Sequence, residues 1–255
     1  MPRARGGVRV GARVLIYGIN PVLEALRAGR VTSLRVSDLT SWRLAEVVKL
    51  AEREGVAVTL AAAADLDRAS QHRVHQGVVA EVGERERFDV ADLVSGARGV
   101  PLLVVLDGIE DPQNVGAIVR TVEAAGADGV IRQTRRAAPL GGAAAKASAG
   151  AVSRVRIADV VNIARSLEEL KEFGVWTIGL AGDAPKRLDQ IDLTLPTAFV
   201  LGAEGSGLRR LVRDRCDLLV SIPMRGHLQS LNVSVAAGVA LFEAVRQRMA
   251  MADPG

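Results

Sequence analysis

Three short polar motifs interrupt apolar sequence in the second half of the chain, and each follows a run suited to a buried strand. The first is Asp107-Gly108-Ile109-Glu110-Asp111-Pro112-Gln113-Asn114-Val115-Gly116, with Arg120 farther along the same helical pattern. The second is Leu201-Gly202-Ala203-Glu204-Gly205-Ser206-Gly207. The third is Ile222-Pro223-Met224 followed by Ser230-Leu231-Asn232-Val233-Ser234. A buried strand has no need of polar groups at its C-terminal end, whereas ligands of open α/β sheets bind there. The three motifs therefore read as parts of one ligand site.

Each motif also has a purely structural use. Asn114 fits the N-cap of a helix over 115–125, and a capped helix with a surface arginine would use Asn114 and Arg120 equally well. If both meet a ligand instead, the Arg120 side chain must reach back nearly two turns. Asp107, Glu110 and Asp111 read as loop and cap groups. The glycines around Glu204 let backbone amides approach a ligand. They lack the G-x-G-x-x-G spacing and the P-loop lysine, so neither the dinucleotide fingerprint nor the P-loop is present. Ser230 or Asn232 can cap the last helix and still present polar atoms to a ligand. His72, His75 and His227 show no metal-ligand spacing, and no serine has an evident His–Asp pairing.

The elements that must position these groups alternate along the chain. Near-continuous apolar runs at 102–106, 129–131, 175–180, 198–201 and 218–222 predict parallel strands buried on both faces. Amphipathic segments at 115–125, 164–173, 207–215 and 231–248 predict helices between them, giving an α/β unit over residues 99–251. Residues 137–151, rich in Ala and Gly, read as a loop. Ahead of this lies a smaller α/β unit, 14–82. Strands are expected at 14–18, 34–36, 56–60 and 77–82. Helices are expected at 22–28, capped by Asn20 with Pro21 at its first position, and at 43–54, closed by Gly55. Residues 83–98 read as a charged linker with room for one short helix, and 1–13 as a basic flexible tail.

Bulk properties narrow the classes. The 255 residues are 49% hydrophobic, enough for one large domain or two modest ones. No stretch has the length and apolarity of a membrane span, and Met1–Arg13 lacks the apolar core of a signal peptide. The single cysteine, Cys216, excludes an internal disulfide and a cysteine metal cluster, so a reducing cytoplasm is expected. Net charge is +4, and only four of the 33 basic residues are lysines. Arginine forks onto phosphates, so a nucleic-acid partner fits, although Arg- and Ala-favouring codons would give the same balance. Aromatic residues are only 3%, which argues against recognition by a base-stacking platform.

In this order and spacing the three motifs resemble the SpoU class of RNA ribose 2′-O-methyltransferases in the SPOUT superfamily, over about residues 100–249. Ser148-Ala149-Gly150-Ala151 is similar to a small-residue segment of that family. Val152-Ser153 departs from it where an acidic residue is common. In the first unit, Tyr17-Gly18, Glu24-Ala25-Leu26 and His75-Gln76-Gly77-Val78 resemble the ribosomal-protein (L30e-like) substrate-binding domain of some members.

The resemblance implies a parallel-sheet domain with a C-terminal trefoil knot. It also implies a homodimer through that domain and S-adenosylmethionine as cofactor, with no metal, membrane or DNA. Leu180, Gly202, Ile222, Met224 and Leu231 match the cofactor-binding positions, and Asn114, Arg120, Glu204, Ser230 and Asn232 the catalytic ones. The architecture is most similar to enzymes that methylate a guanosine ribose in large-subunit ribosomal RNA. A transfer-RNA methylase, a resistance methylase acting on ribosomal-RNA adenosine and a non-catalytic RNA-binding assembly protein stay open. A dinucleotide oxidoreductase is disfavoured by the missing fingerprint. Arginine as general base would cost about 8 kcal/mol to deprotonate at neutral pH, so Arg120 is expected to clamp phosphate and stabilise the developing alkoxide.

Overall fold

The computed structural model describes residues 14–252 other than 28, 84–87, 136, 139, 141, 142 and 229, so the expected tail 1–13 lies outside the described residues. The chain divides into two units, Met1–Glu86 and Arg87–Gly255, each with its own core.

The first unit runs β1 (Val14–Tyr17), α1 (Ile19–Arg27), β2 (Val31–Val36), α2 (Ala45–Arg53), β3 (Ala57–Leu60), α3 (Ala63–Ala69) and β4 (Val78–Val82). Its sheet has the order β1-β4-β2-β3, with β4 antiparallel to both neighbours and β2 parallel to β3. Val22, Leu26, Leu34, Val36, Val47, Ala51, Val78 and Ala80 fill the core between the sheet and α1 and α2. Two expectations are corrected. Helix α1 begins at Ile19, so Asn20 lies inside it and is not its cap. Instead Gly18 turns at φ 93° and its carbonyl accepts the Val22 N–H. The Gln76 side chain, 57 residues away, accepts the Ile19 N–H at 2.9 Å. Helix α3 was not expected, because Leu66 is its one buried side chain and leaves no apolar periodicity to read.

The second unit runs α4 (Val90–Ser95), β5 (Leu102–Asp107), α5 (Pro112–Ala124), β6 (Gly129–Gln133), α6 (Ala143–Ala147), β7 (Ile157–Val160), α7 (Ile163–Glu172), β8 (Trp176–Leu180), β9 (Lys186–Arg187), β10 (Thr197–Gly202), α8 (Arg210–Arg215), β11 (Leu218–Ser221) and α9 (Val233–Ala252). All seven strands are parallel, in the order β7-β6-β5-β10-β8-β11-β9. Successive side chains point to opposite faces of a strand. Leu102, Val104, Leu106, Phe199 and Leu201 accordingly pack with α5 and α9, while Leu103, Val105, Ala198 and Val200 pack with α4 and α7. Both faces are covered, which is why these strands are apolar throughout.

Two segments differ from their sequence reading. Residues 88–98 carry the one short helix for which the expected linker left room, and it packs into the second unit. Asp89 and Asp92 form a reciprocal capping box at the start of α4, and Val90 and Leu93 are buried in the second unit's core. The apolar face is so short that the charged sequence around it leaves the bounds of this helix unmarked. The stretch 137–151 is not all loop, since α6 packs on α5. The contact is close because Gly116 has no side chain: a Cβ there would stand 2.5 Å from the Ala144 carbonyl and 2.6 Å from the Ala147 methyl. Strand β7 was not expected, and its Asp159 pairs with Arg132 at 2.7 Å.

Candidate active site

The register brings the three motifs to one edge. Gly202 stands opposite Asp107, Val200 opposite Gly179 and Val220 opposite Leu180. The C-terminal ends of β5, β10, β8 and β11 are therefore level, and the segments after them carry motif one, motif two, Leu180 and motif three.

Motif one begins at a buried charge. The Asp107 carboxylate is wholly buried and accepts the Arg209 backbone N–H at 2.8 Å and the Arg209 Nε at 2.6 Å. This pair ties the end of β5 to the segment after motif two. Asp107 is thus not a loop or cap group, as its sequence position suggested, and Arg209 did not stand out, because the two lie 102 positions apart. Helix α5 then starts with Asp111 as N-cap, accepting the Gln113 N–H at 3.0 Å, and Pro112 in its first turn. Asn114 is thus not the cap, as its sequence position suggested. Its side chain is free of that duty and faces the site, with only 6% of the residue exposed.

Motif two is a closed loop. Ala203 and Gly207 exchange backbone hydrogen bonds of 3.1 and 2.8 Å, and Gly205 and Gly207 supply the positive φ that the turn requires. Gly202 lies so close beneath the returning chain that a Cβ there would stand 2.1 Å from the Gly207 carbonyl carbon. Glu204 projects from this loop, exposed.

Motif three completes the cluster through Asn232. Its Oδ1 accepts the Ser234 N–H at 2.9 Å and the Val235 N–H at 3.4 Å, capping α9. Backbone N–H groups can only donate, so the cap fixes which way the amide points. The Asn232 Nδ2 then donates to Asn114 Oδ1 at 2.9 Å and to Glu204 Oε1 at 2.6 Å. One side chain thereby joins all three motifs, across separations of 118 and 28 residues. Both Nδ2 hydrogens are engaged. Among the described residues nothing bonds Asn114 Nδ2 or the second Glu204 oxygen, which leaves one donor and one acceptor for a ligand.

The remaining expected residues fall into two sets. Leu180, Gly202, Ile222 and Leu231 are half-buried, Met224 is more exposed, and Leu180 and Ile222 also pack on the core. Ser230 is exposed two residues before the cap. Arg120 is not brought to the cluster. It is exposed, a third of a turn around α5 from Asn114 and about 9 Å along the axis, and nothing among the described residues pairs with it. Among the described residues no group of three or more His, Cys, Asp or Glu could hold a metal ion, and no helix is long and apolar enough to cross a membrane. Burial pushes the Cys216 thiol up to about 12, which keeps it protonated at neutral pH.

Comparison with known proteins agrees with this arrangement. Residues 101–242 match the SpoU rRNA Methylase family, and residues 15–88 match the family described as RNA 2'-O ribose methyltransferase substrate binding. The chain is 44% identical over 245 residues to the 23S rRNA (guanosine-2'-O-)-methyltransferase RlmB of Pseudomonas syringae, covering 94% of this chain and 98% of that protein. It is 44% identical to the RlmB of Yersinia pestis, covering 92% and 97%. The crystal structure of the SpoU methyltransferase AviRb from Streptomyces viridochromogenes in complex with the cofactor AdoMet superimposes with a TM-score of 0.65 at 27% identity, covering 93% of this chain and 91% of that one. With these matches along both units and the three motifs gathered at one sheet edge, the chain belongs to the SpoU rRNA methylase family.

Proposed function

We propose that the chain is an S-adenosylmethionine-dependent RNA methyltransferase that modifies the ribose 2′-hydroxyl of a guanosine in 23S ribosomal RNA. The observation that carries this is the Asn114–Asn232–Glu204 cluster at the level strand ends. The RlmB relatives support the guanosine and the 23S RNA, and a ribosomal-RNA substrate supports a cytoplasmic enzyme.

The rim beside the cluster fits a nucleoside cofactor. Leu180, Ile222 and Met224 would offer it apolar surface, and the backbone of Gly202 and Leu231 would reach its polar atoms. These five residues would hold S-adenosylmethionine, which supplies an electrophilic methyl group on a sulfonium. The chain's own residues then orient the ribose. Asn114 Nδ2 donates to it, and Ser230 supports its backbone. The free oxygen of Glu204 receives the hydroxyl proton through water. Arg120 holds the flanking phosphate and stabilises the oxygen as negative charge develops. Alignment alone supplies several kcal/mol. The C-terminal segments thread as the family's trefoil knot, a proposal supported by the β10-β8-β11 order, which places β8 between two later strands.

The active unit in this proposal is a homodimer. Helix α9 is apolar on two faces. Val233, Ala237, Ala240, Leu241 and Ala244 face the core, while Val235, Val239, Phe242 and Met249 form an exposed stripe at helical spacing. Thr121, next to Arg120, lies against Gly238 of α9, so the turn of α5 that carries Arg120 runs beside α9. A second subunit on the stripe brings an Arg120 to a cluster that lacks one.

Incubation with labelled S-adenosylmethionine and RNA from a host lacking the protein tests the reaction. The expected product is 2′-O-methylguanosine in large-subunit RNA alone. Label in transfer RNA instead would overturn the substrate. A Gly202→Ala variant is expected to bind S-adenosylmethionine at least ~10-fold more weakly by calorimetry, because its methyl has no space under the Gly207 backbone. Unchanged affinity would remove Gly202 from the cofactor rim.

A further inference from the structure

The first unit concentrates its exposed apolar surface at one end. The C-terminal ends of β1, β2 and β3 and the start of β4 share an edge of the sheet, since Tyr17 stands opposite Val79, Val36 opposite Val78 and Leu60 opposite Val36. Three loops leave that edge and touch one another. The Ser37 N–H donates to the Gly77 carbonyl at 2.9 Å, and Gly77 lies against Ser37 and Leu44. Gly18 lies against Gln76 and the Val74 carbonyl. Among the described residues of this unit five large apolar side chains are exposed, and Leu39, Trp42, Leu60 and Val74 of these are on this end, with Trp42 80% and Val74 82% exposed. The chain has only two tryptophans and one tyrosine, and Trp42 and Tyr17 both lie here.

The chemistry around Trp42 is cationic. The Arg43 guanidinium lies over one face of the Trp42 ring at 5.4 Å, which leaves the other face open. Arg73 is exposed and donates to the Tyr17 hydroxyl at 3.0 Å. The nearby carboxylates are engaged: Asp38 accepts from Thr40, and Asp67 from His75. The loop carrying Arg73 is held rather than slack. Gln71, His72 and Gln76 sit at φ 53, 58 and 51°, costly for residues with a side chain. His75 fixes this conformation by accepting the Gly77 N–H on Nδ1 and reaching Asp67 through Nε2.

We propose that this end of the first unit is a nucleobase-stacking surface, on which the free face of Trp42 captures an unpaired base of the RNA while Arg43 and Arg73 hold the adjoining phosphates. The proposal rests on RNA as the substrate and goes further, assigning this unit to looped or single-stranded RNA rather than duplex. A flat exposed indole flanked by two exposed arginines suits a base with its adjoining phosphates better than an aliphatic or cationic protein segment. A paired base offers no face to stack on.

The test uses the full-length protein with Trp176→Phe, which leaves Trp42 as the one fluorophore of its kind. Transcribed fragments of 23S ribosomal RNA containing loops are expected to quench Trp42, and a perfectly paired RNA duplex of equal length is not. Trp42→Ala should weaken binding of the looped fragments on the order of 10-fold or more, and Trp42→Phe should restore most of it. Arg43→Ala and Arg73→Ala should weaken binding and flatten its salt dependence. At saturating RNA the Trp42→Ala enzyme should keep its kcat. Trp42 emission unmoved by bound RNA, or equal affinity of wild type and Trp42→Ala, would overturn the proposal. These binding measurements need no cofactor. Quenching without methyl transfer would sink the reaction and keep the surface, while methyl transfer with silent Trp42 would do the reverse.

Discussion

Replacing Asn232 by aspartate is expected to lower the rate of methyl transfer on the order of 100- to 1,000-fold while leaving the fold intact. Aspartate keeps an oxygen where Oδ1 accepts the Ser234 and Val235 N–H groups, so the cap of α9 survives. A negative charge at a helix N-terminus is, if anything, favourable. What changes is the other atom. Nδ2 becomes an oxygen, and the two donations at 2.9 and 2.6 Å become contacts between acceptors. Asn114 can answer by turning its amide, but the Glu204 carboxylate meets the new one as acceptor against acceptor and must withdraw. The carboxylate that receives the ribose proton is then out of place. Asn232→Ala provides the contrast. It removes both cap and bridge, so it should lose activity and also about 1 kcal/mol of stability. Single-turnover rates and thermal melts of the two variants separate the roles. An Asn232→Asp enzyme that turns over like wild type would mean that Asn232 is only a cap.

The cap of α5 shows where sequence reading stops. The segment Asp111-Pro112-Gln113-Asn114 contains two residues able to cap, and either choice starts a helix of similar length. The proline decides, since it belongs in the first turn and leaves Asp111 before it. Once Asp111 takes the cap, Asn114 sits inside the helix with no local partner, and its bond to Asn232 is 118 residues distant. The strands were legible because 102–106 and 198–201 are buried on both faces, a condition that local sequence records directly. Strand β7 and the Asp107–Arg209 pair were not, and helix α4 only as room for one short helix in a charged linker. Their stabilising contacts lie with distant residues: Leu93 packs against Gly129, and Asp159 pairs with Arg132. The motifs could be gathered at one sheet edge from the α/β pattern, but which polar atoms remain free could only come from the register.

Arg120→Lys is expected to lose on the order of 100-fold in activity with S-adenosylmethionine affinity unchanged. Lysine keeps the charge but not the planar fork, so it cannot hold a phosphate and an alkoxide at once. The exposed, unpaired position of Arg120 on α5 adds a second and sharper expectation. If it acts on the cluster of the partner subunit, inactive Arg120→Ala and Asn232→Ala chains should complement. In a mixed dimer one site combines the intact Asn232 of the first chain with the intact Arg120 of the second. Random pairing by co-expression then restores about a quarter of wild-type activity, since half the dimers are mixed and each has one working site of two. Were Arg120 to reach back to its own cluster, every site in the mixture would lack one group and no activity would return. The two geometries differ by all or nothing in the same assay, and neither answer depends on how much rate the guanidinium contributes.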